Sequence, residues 1–466
     1  MKNKLIILLI IFSSILLCYR LTNSLVISKL MVQETSYFDI NNNISLRKMP
    51  FPYRNMFSII NDADENDKKK FEGMHKFLNT LSNCGSLGLG VGLDIGDTFF
   101  MGEIGSVNNE FEDSNQWYFW NTDTKIKIDG KTMEKYINAG WIDIPHTFFS
   151  YAHTNKSTFS RKKAIDVISE WKSFNFKPIL WVDHWDNPWN IMTSDQKGAV
   201  ISSQYYCSDL AMQAGIKAFW LPIIPPKINK STNYGRLGFD TCLIPIRLPD
   251  NKMVWGFLRN YEEGQTNNTW LGKVINRELY GDKLSNFKPA NKDTYIVIAS
   301  HMGYADSDGL SENNKYTLDT DLLKVNGGKW FNDETVKALR DLKEKQNNGE
   351  ILVTNASRLT RYNLVNDMLS KYNYTSKGYT VGNHQGTINI VINNIYDDCF
   401  GVFTPTVDDL RGITFYCDDP VNTKIFINET PIDSSQLQLN NADYTGKKSI
   451  SIKWYEPDYK DYTNEK

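Results

Sequence analysis

The sequence has six cysteines, and none forms a Cys-x-x-Cys or Cys-x-x-His pair. A thiolate zinc site is therefore not expected. It also lacks any excess of positive charge: 52 lysines and arginines face 54 acids, a net charge of −2, with no basic stripe or arginine-rich helix. Phosphate binding needs concentrated positive charge, so nucleic acid is not an expected partner. No repeat or low-complexity tract is visible, and histidine is scarce, at six residues. No apolar run reaches the roughly 20 residues of a comfortable membrane span. The longest, Leu5 to Tyr19, follows Lys2 and Lys4 and ends at Arg20. A basic start and an apolar middle make an export signal. No small-x-small cleavage site follows, so residues 1–25 read as a signal peptide or an uncleaved anchor. The body is expected to be secreted or membrane-anchored and extracytoplasmic, touching the membrane only through this segment.

What is present is an ordinary globular composition, 41% hydrophobic and 23% charged over 466 residues, enough for a sizeable core and more than one domain. Strand-like segments alternate with helical ones. The strands are "FSII", "SLGLGVGLDIG", "GWIDIPHTF", "FKPILWVDH", "IKAFWLP", "TYIVIASHMG" and "GEILVTNAS", with "MVWGFLRNY" as an additional one. Apolar residues recur every three or four positions in "DENDKKKFEGMHKFLNTL", "RKKAIDVISEWKSF" and "DETVKALRDLKEKQ", as in helices lying on a sheet. This alternation predicts an α/β fold with a (β/α) barrel of seven or eight strands over residues 50–377. The polar stretch 225–292 reads as an insertion. From about Tyr379 the helical period stops, and short strands joined by Asn, Asp, Gly and Pro turns predict a small all-β, sandwich-like domain over residues 378–460. Cys399 and Cys417 could pair there, but five cysteines beyond Cys18 leave one over, and no bridge is assigned.

Barrel enzymes place their chemistry at the C-terminal ends of strands. The expected ends carry Asn61, Asp62 and Asp64; Asp94 and Asp97; His146 and Thr147, with His153 behind; Asp183, His184, Asp186 and Asn187; and His301. Four of the six histidines fall there, the exceptions being His75 and His384. Carboxylates and imidazoles on one rim suit zinc or another transition metal with an open position for water, and such a metal suits hydrolysis. Trp181, Trp185 and Trp189 beside His184 are candidates for stacking on sugar rings.

The order strand–NDAD, strand–HT…H, strand–WVDH, strand–SHMG resembles the polysaccharide deacetylase (NodB-homology) family, in particular a divergent exported branch, over roughly Phe57 to Asn373. The resemblance implies a distorted barrel holding one divalent metal, zinc being the expected one, and a polysaccharide or glycan substrate that loses acetyl groups. Carried across, Asp62 and His146 would be metal ligands, with His153 or His184 as the third. Asp64 would be the general base, His301 the general acid, and Arg161 in "FSRKKA" would stand in for the arginine that orients the base. If Asp62 and Asp64 do not share these roles, Asn61-Asp62 is the matching pair and the base has become Asn. The motif's last His/Asp position falls on Ser150. Two alternatives stand beside this reading: a glycoside hydrolase using carboxylates such as Asp94 and Asp186, and a catalytically degenerate glycan-binding surface protein.

Overall fold

The computed structural model describes residues 44–464 except 64–65, 67, 105–119, 122–129, 149, 152–158, 185–186, 194–195, 222–237, 260–269, 282–288, 304–323, 326–327, 371 and 374–375. Asp64, His153, Trp185, Asp186 and the Leu5–Tyr19 segment lie outside the described residues. Among the described residues no helix is long and apolar enough to cross a membrane.

The chain runs β1 (Asn55–Asn61), α1 (Lys68–Asn79), β2 (Gly96–Phe99), α2 (Gly130–Asn138), β3 (Ile142–Pro145), α3 (Arg161–Ser173), β4 (Leu180–Trp181), α4 (Ser208–Gln213) and β5 (Ala218–Trp220). It continues through β6 (Leu243–Arg247), β7 (Met253–Phe257), α5 (Leu271–Tyr280), β8 (Tyr295–Ser300), α6 (Asp333–Asn347), β9 (Ile351–Val353) and α7 (Ala356–Ser370). One sheet has the order β8-β1-β2-β3, with β9 also on β1, and every pair is parallel. The other has the order β6-β7-β5-β4, parallel except for the β6–β7 hairpin.

All seven residues of β1 are buried, as a central parallel strand covered on both faces requires. Successive side chains point to opposite faces. Phe57 and Ile59 accordingly join a core with α1, α5 and α6, while Met56 and Ile60 join one with α7 and the second sheet. Helix α7 contacts β1, β3, β4 and β6, so both sheets pack on it.

The expected barrel is corrected to this arrangement. Among the described residues the sheets are joined by single bridges, His146 with Val182 and Phe239 with Tyr295, and no closed barrel of strands forms. Strand β4 has only two residues, and Thr147, at φ +62, turns the chain out of extended geometry just after β3. Two strand expectations also change. "SLGLGVGLDIG" is a 3-10 turn and loop, with Gly88 and Gly92 at φ +75 and +68; the strand is Gly96–Phe99. The supposed insertion contains the β6–β7 hairpin, which is integral to the second sheet.

The C-terminal region is a set of antiparallel and mixed sheets. One runs Tyr379–His384, Thr387–Ile392, Thr423–Ile427, Thr430–Pro431, its middle pair being parallel. The other is antiparallel and includes Thr414–Tyr416, Ser449–Ile452 and Leu437–Asn440. Its edge strand is Ser45–Leu46, from the other end of the chain. No disulfide joins Cys399 to Cys417.

Candidate functional site

The C-terminal ends of β1, β2, β3, β4, β5, β7 and β8 deliver, in turn, Asp62, Phe100, His146, His184, Trp220, Arg259 and His301. Asp62 is the centre. Its backbone N–H continues the β1–β8 ladder by donating to Ser300 O at 2.7 Å, which fixes the buried carboxylate at the strand end. Arg259 grips it with two parallel bonds, Nη1 to Oδ1 at 2.8 Å and Nη2 to Oδ2 at 2.7 Å. Both side chains are almost wholly buried. The Arg259 guanidinium lies over Trp220, 4.0 Å from the ring centroid, and the planar cation suits both partners. Thr98 Oγ1 donates to Asp62 Oδ1 at 3.3 Å, and His301 Nε2 lies 3.8 Å from Oδ2. Burial alone would raise the Asp62 carboxyl. Arg259, with help from His146 and His301, outweighs it and holds the group below the ordinary carboxylate value.

His146 is buried, and its backbone N–H donates to Phe99 O at 2.9 Å. The rings of His146 and His184 meet edge to face, with centroids 5.4 Å apart, and Phe100 packs on both. A left-handed conformation is costly for β-branched threonine. Thr147 holds it with its Oγ1 accepting from Asn187 Nδ2 and Trp189 Nε1, each at 3.4 Å.

Behind the rim lies a buried polar chain. Asn79 Oδ1 meets His75 Nδ1 at 2.8 Å, and His75 Nε2 lies 3.2 Å from Asp97 Oδ1. Asn61 Nδ2 donates to Asp97 Oδ2 at 2.6 Å, while Asn61 Oδ1 accepts from Met302 N at 2.6 Å. A surface helix thus connects to the backbone beside His301. Burial pushes the Asp97 carboxyl up, against the lowering effects of His75 and Asn61.

Several expected residues lie elsewhere. Arg161 forms a bidentate pair with Asp209, at 2.8 and 2.7 Å, and also bonds Tyr206 O; the arginine that orients Asp62 is Arg259. Asp94 precedes β2, at the opposite edge of the sheet, and pairs with Arg358 at 2.8 Å. Asp97 is inside β2 rather than beyond it. Asp183 is a loop clasp that accepts from Trp181 Nε1 and from the backbone N–H groups of Ile191, Met192 and Thr193. Trp181 and Trp189 are fully buried, so neither offers a face to a sugar.

Arg259 and His75 were missed. Arg259 is signalled by its place right after the apolar run "MVWGFL". His75 is signalled by its position among Phe71, Met74 and Leu78, the buried stripe of α1.

The described donors fall short of a metal site. Among the described residues no group of three His, Cys, Asp or Glu could hold an ion. Asp62 has both oxygens engaged by Arg259. No family model, curated protein or solved structure matches the chain.

Proposed function

We propose that the chain is an extracytoplasmic hydrolase that removes acetyl groups from a polysaccharide. The observation that carries this reading is the convergence of Asp62, His146, His184, Arg259 and His301 at the C-terminal strand ends, with Asp62 kept anionic beside His301. In the proposed reaction, water attacks the acyl carbonyl carbon and Asp64 takes its proton. The carbon–nitrogen bond then breaks, and His301 gives its proton to the leaving amine. The Asp62 anion favours the protonated imidazolium that this step requires, and Arg259 keeps Asp62 in place. A divalent metal such as zinc would supply a polarised carbonyl and an acidified water; because the described donors do not make up its site, no step is routed through it.

The test is acetate release from N- and O-acetylated glycans, with bound metal measured on the same samples, for wild type, His301→Ala and His146→Ala. The expected result is release by wild type and a loss of about 10²-fold or more in His301→Ala. No release from any acetylated glycan, with or without added zinc, overturns the proposal. A second reading, glycan binding without turnover, is favoured by Asn61. That residue stands where the family pattern has an acid, and both ends of its amide are committed to Asp97 and Met302. Glycan binding without acetate release would establish it.

A further inference from the structure

A cleft lies away from the rim, beside the start of β2. Its lining includes Asp94, just before β2, and Leu352 and Val353 in β9. Its wall is the tail that follows the last strand, Ser449–Ile452, and carries Trp454, Tyr455 and Tyr459. The cavity is about 320 Å³, within the range of small-ligand sites.

Its chemistry is specific. Tyr53, Trp454, Tyr455 and Tyr459 are half-buried, unlike the fully buried Trp181 and Trp189 near the rim. Two of these rings are fixed by cations: Arg358 lies over Tyr455 at 4.4 Å, and Lys343 lies over Tyr459 at 4.9 Å. Lys343 also donates to the Tyr459 hydroxyl at 3.2 Å and to Gly92 O at 2.6 Å, tying the tail to the loop before β2. Arg358 is itself paired with Asp94. Rings held in this way lose little entropy when a ligand arrives. Among the charged lining residues, Asp94, Glu456 and Asp458 face Arg358 and Lys453, so the cleft does not present one strong sign of charge to a polyanion or polycation.

We propose that this cleft is a non-catalytic binding site for a neutral saccharide, with sugar C–H faces against the tyrosine and tryptophan rings and hydroxyls bonded to the polar lining. Rigid aromatic surface alternating with hydrogen-bonding groups matches the alternating apolar and hydroxyl faces of a pyranose. The site goes beyond the rim reading and does not depend on it.

The test is isothermal titration calorimetry of the full chain with an N-acetylglucosamine tetramer, its deacetylated counterpart and a glucose tetramer. Wild type, Tyr459→Ala, Gln438→Trp and His301→Ala are compared. Gln438 is an exposed lining residue, so the larger side chain obstructs the cleft without removing a core contact. A binding component is expected for at least one tetramer that is weakened about tenfold in Tyr459→Ala, lost in Gln438→Trp and unchanged in His301→Ala. Failure of every tetramer to bind, or binding unaffected by Gln438→Trp, overturns the proposal. Binding that disappears only in His301→Ala assigns the saccharide to the rim and overturns it as well.

Discussion

Each edge of the parallel sheets pairs a carboxylate with an arginine, but the two pairs differ in depth. At the C-terminal edge, Arg259 goes to Asp62, and both side chains are at most 4% exposed. At the N-terminal edge, Arg358 goes to Asp94, and both are about a quarter exposed, at 25% and 24%. The buried carboxylate nearby, Asp143, accepts a hydrogen bond from Ser357 N, at 2.8 Å. Burial pushes Asp143 up to about 7, against the lowering effect of Ser357. Asp62 is held down. Burial acts the same way on both carboxyls, so the placement of a guanidinium decides which one is ionised. An ion pair that deep is costly to desolvate and seldom the most stabilising choice. Its retention at the rim fits a site that needs a fixed anion.

The largest effect is expected from Arg259→Ala, which strands a buried anion. It should lower unfolding stability by about 3–5 kcal/mol, read from urea denaturation. A loss below about 1 kcal/mol would mean that Asp62 reaches water, and the contrast between the edges would fail. The pH dependence comes next. Because the folded pKa of Asp143 is raised, its contribution is fully present below the unfolded carboxylate value and is lost as pH rises through about 7. Asp62, with a lowered folded pKa, contributes above the unfolded value and loses that contribution as pH falls through the folded one. Asp143→Asn should therefore gain stability relative to wild type as pH rises from the unfolded carboxylate value, about 4, to about 7. Equal pH slopes in the two proteins would remove Asp143 from the comparison. Asp183→Ala strands three loop N–H groups and should cost about 1–3 kcal/mol, with Tm as the readout. Arg358→Ala should cost least, about 1 kcal/mol or less, because solvent screens the pair. A larger loss would show that the Asp94–Arg358 pair holds α7 in place.

The rim was legible in the sequence where a long apolar strand ran straight into a polar residue. "MFSIIND" and "YIVIASH" place Asp62 and His301 by strand periodicity alone, and "IDIPHT" does the same for His146. Asp94 was misplaced because "GLGVGLDIG" alternates like a strand, while its glycines take positive φ. The true strand, "GDTF", is too short and polar to stand out. Helix α7 was invisible for a different reason. It is buried over most of its surface, with polar Thr360, Asn363 and Asn366 among the buried residues, so the apolar stripe that marks a surface helix is missing. Arg259 was hidden because pairing across the sheets cannot be read from a hairpin inside a polar stretch. His75 was hidden because a helix residue carries no sign of the strand it will face.

The edge strand Ser45–Leu46 has a consequence for the order in which the molecule is built. Its partners are Phe415 and Tyr416, and Arg47 beside it bonds Asp443 at 3.0 Å. A chain made or exported from its N-terminus presents these residues early and supplies their partners almost last. Closing so large a loop is slow, because its entropy is lost before the contacts reward it. The C-terminal sheet therefore cannot be completed while any of the parallel-sheet region is still to come, and its closure reports that the chain between Ser45 and Tyr416 has been made.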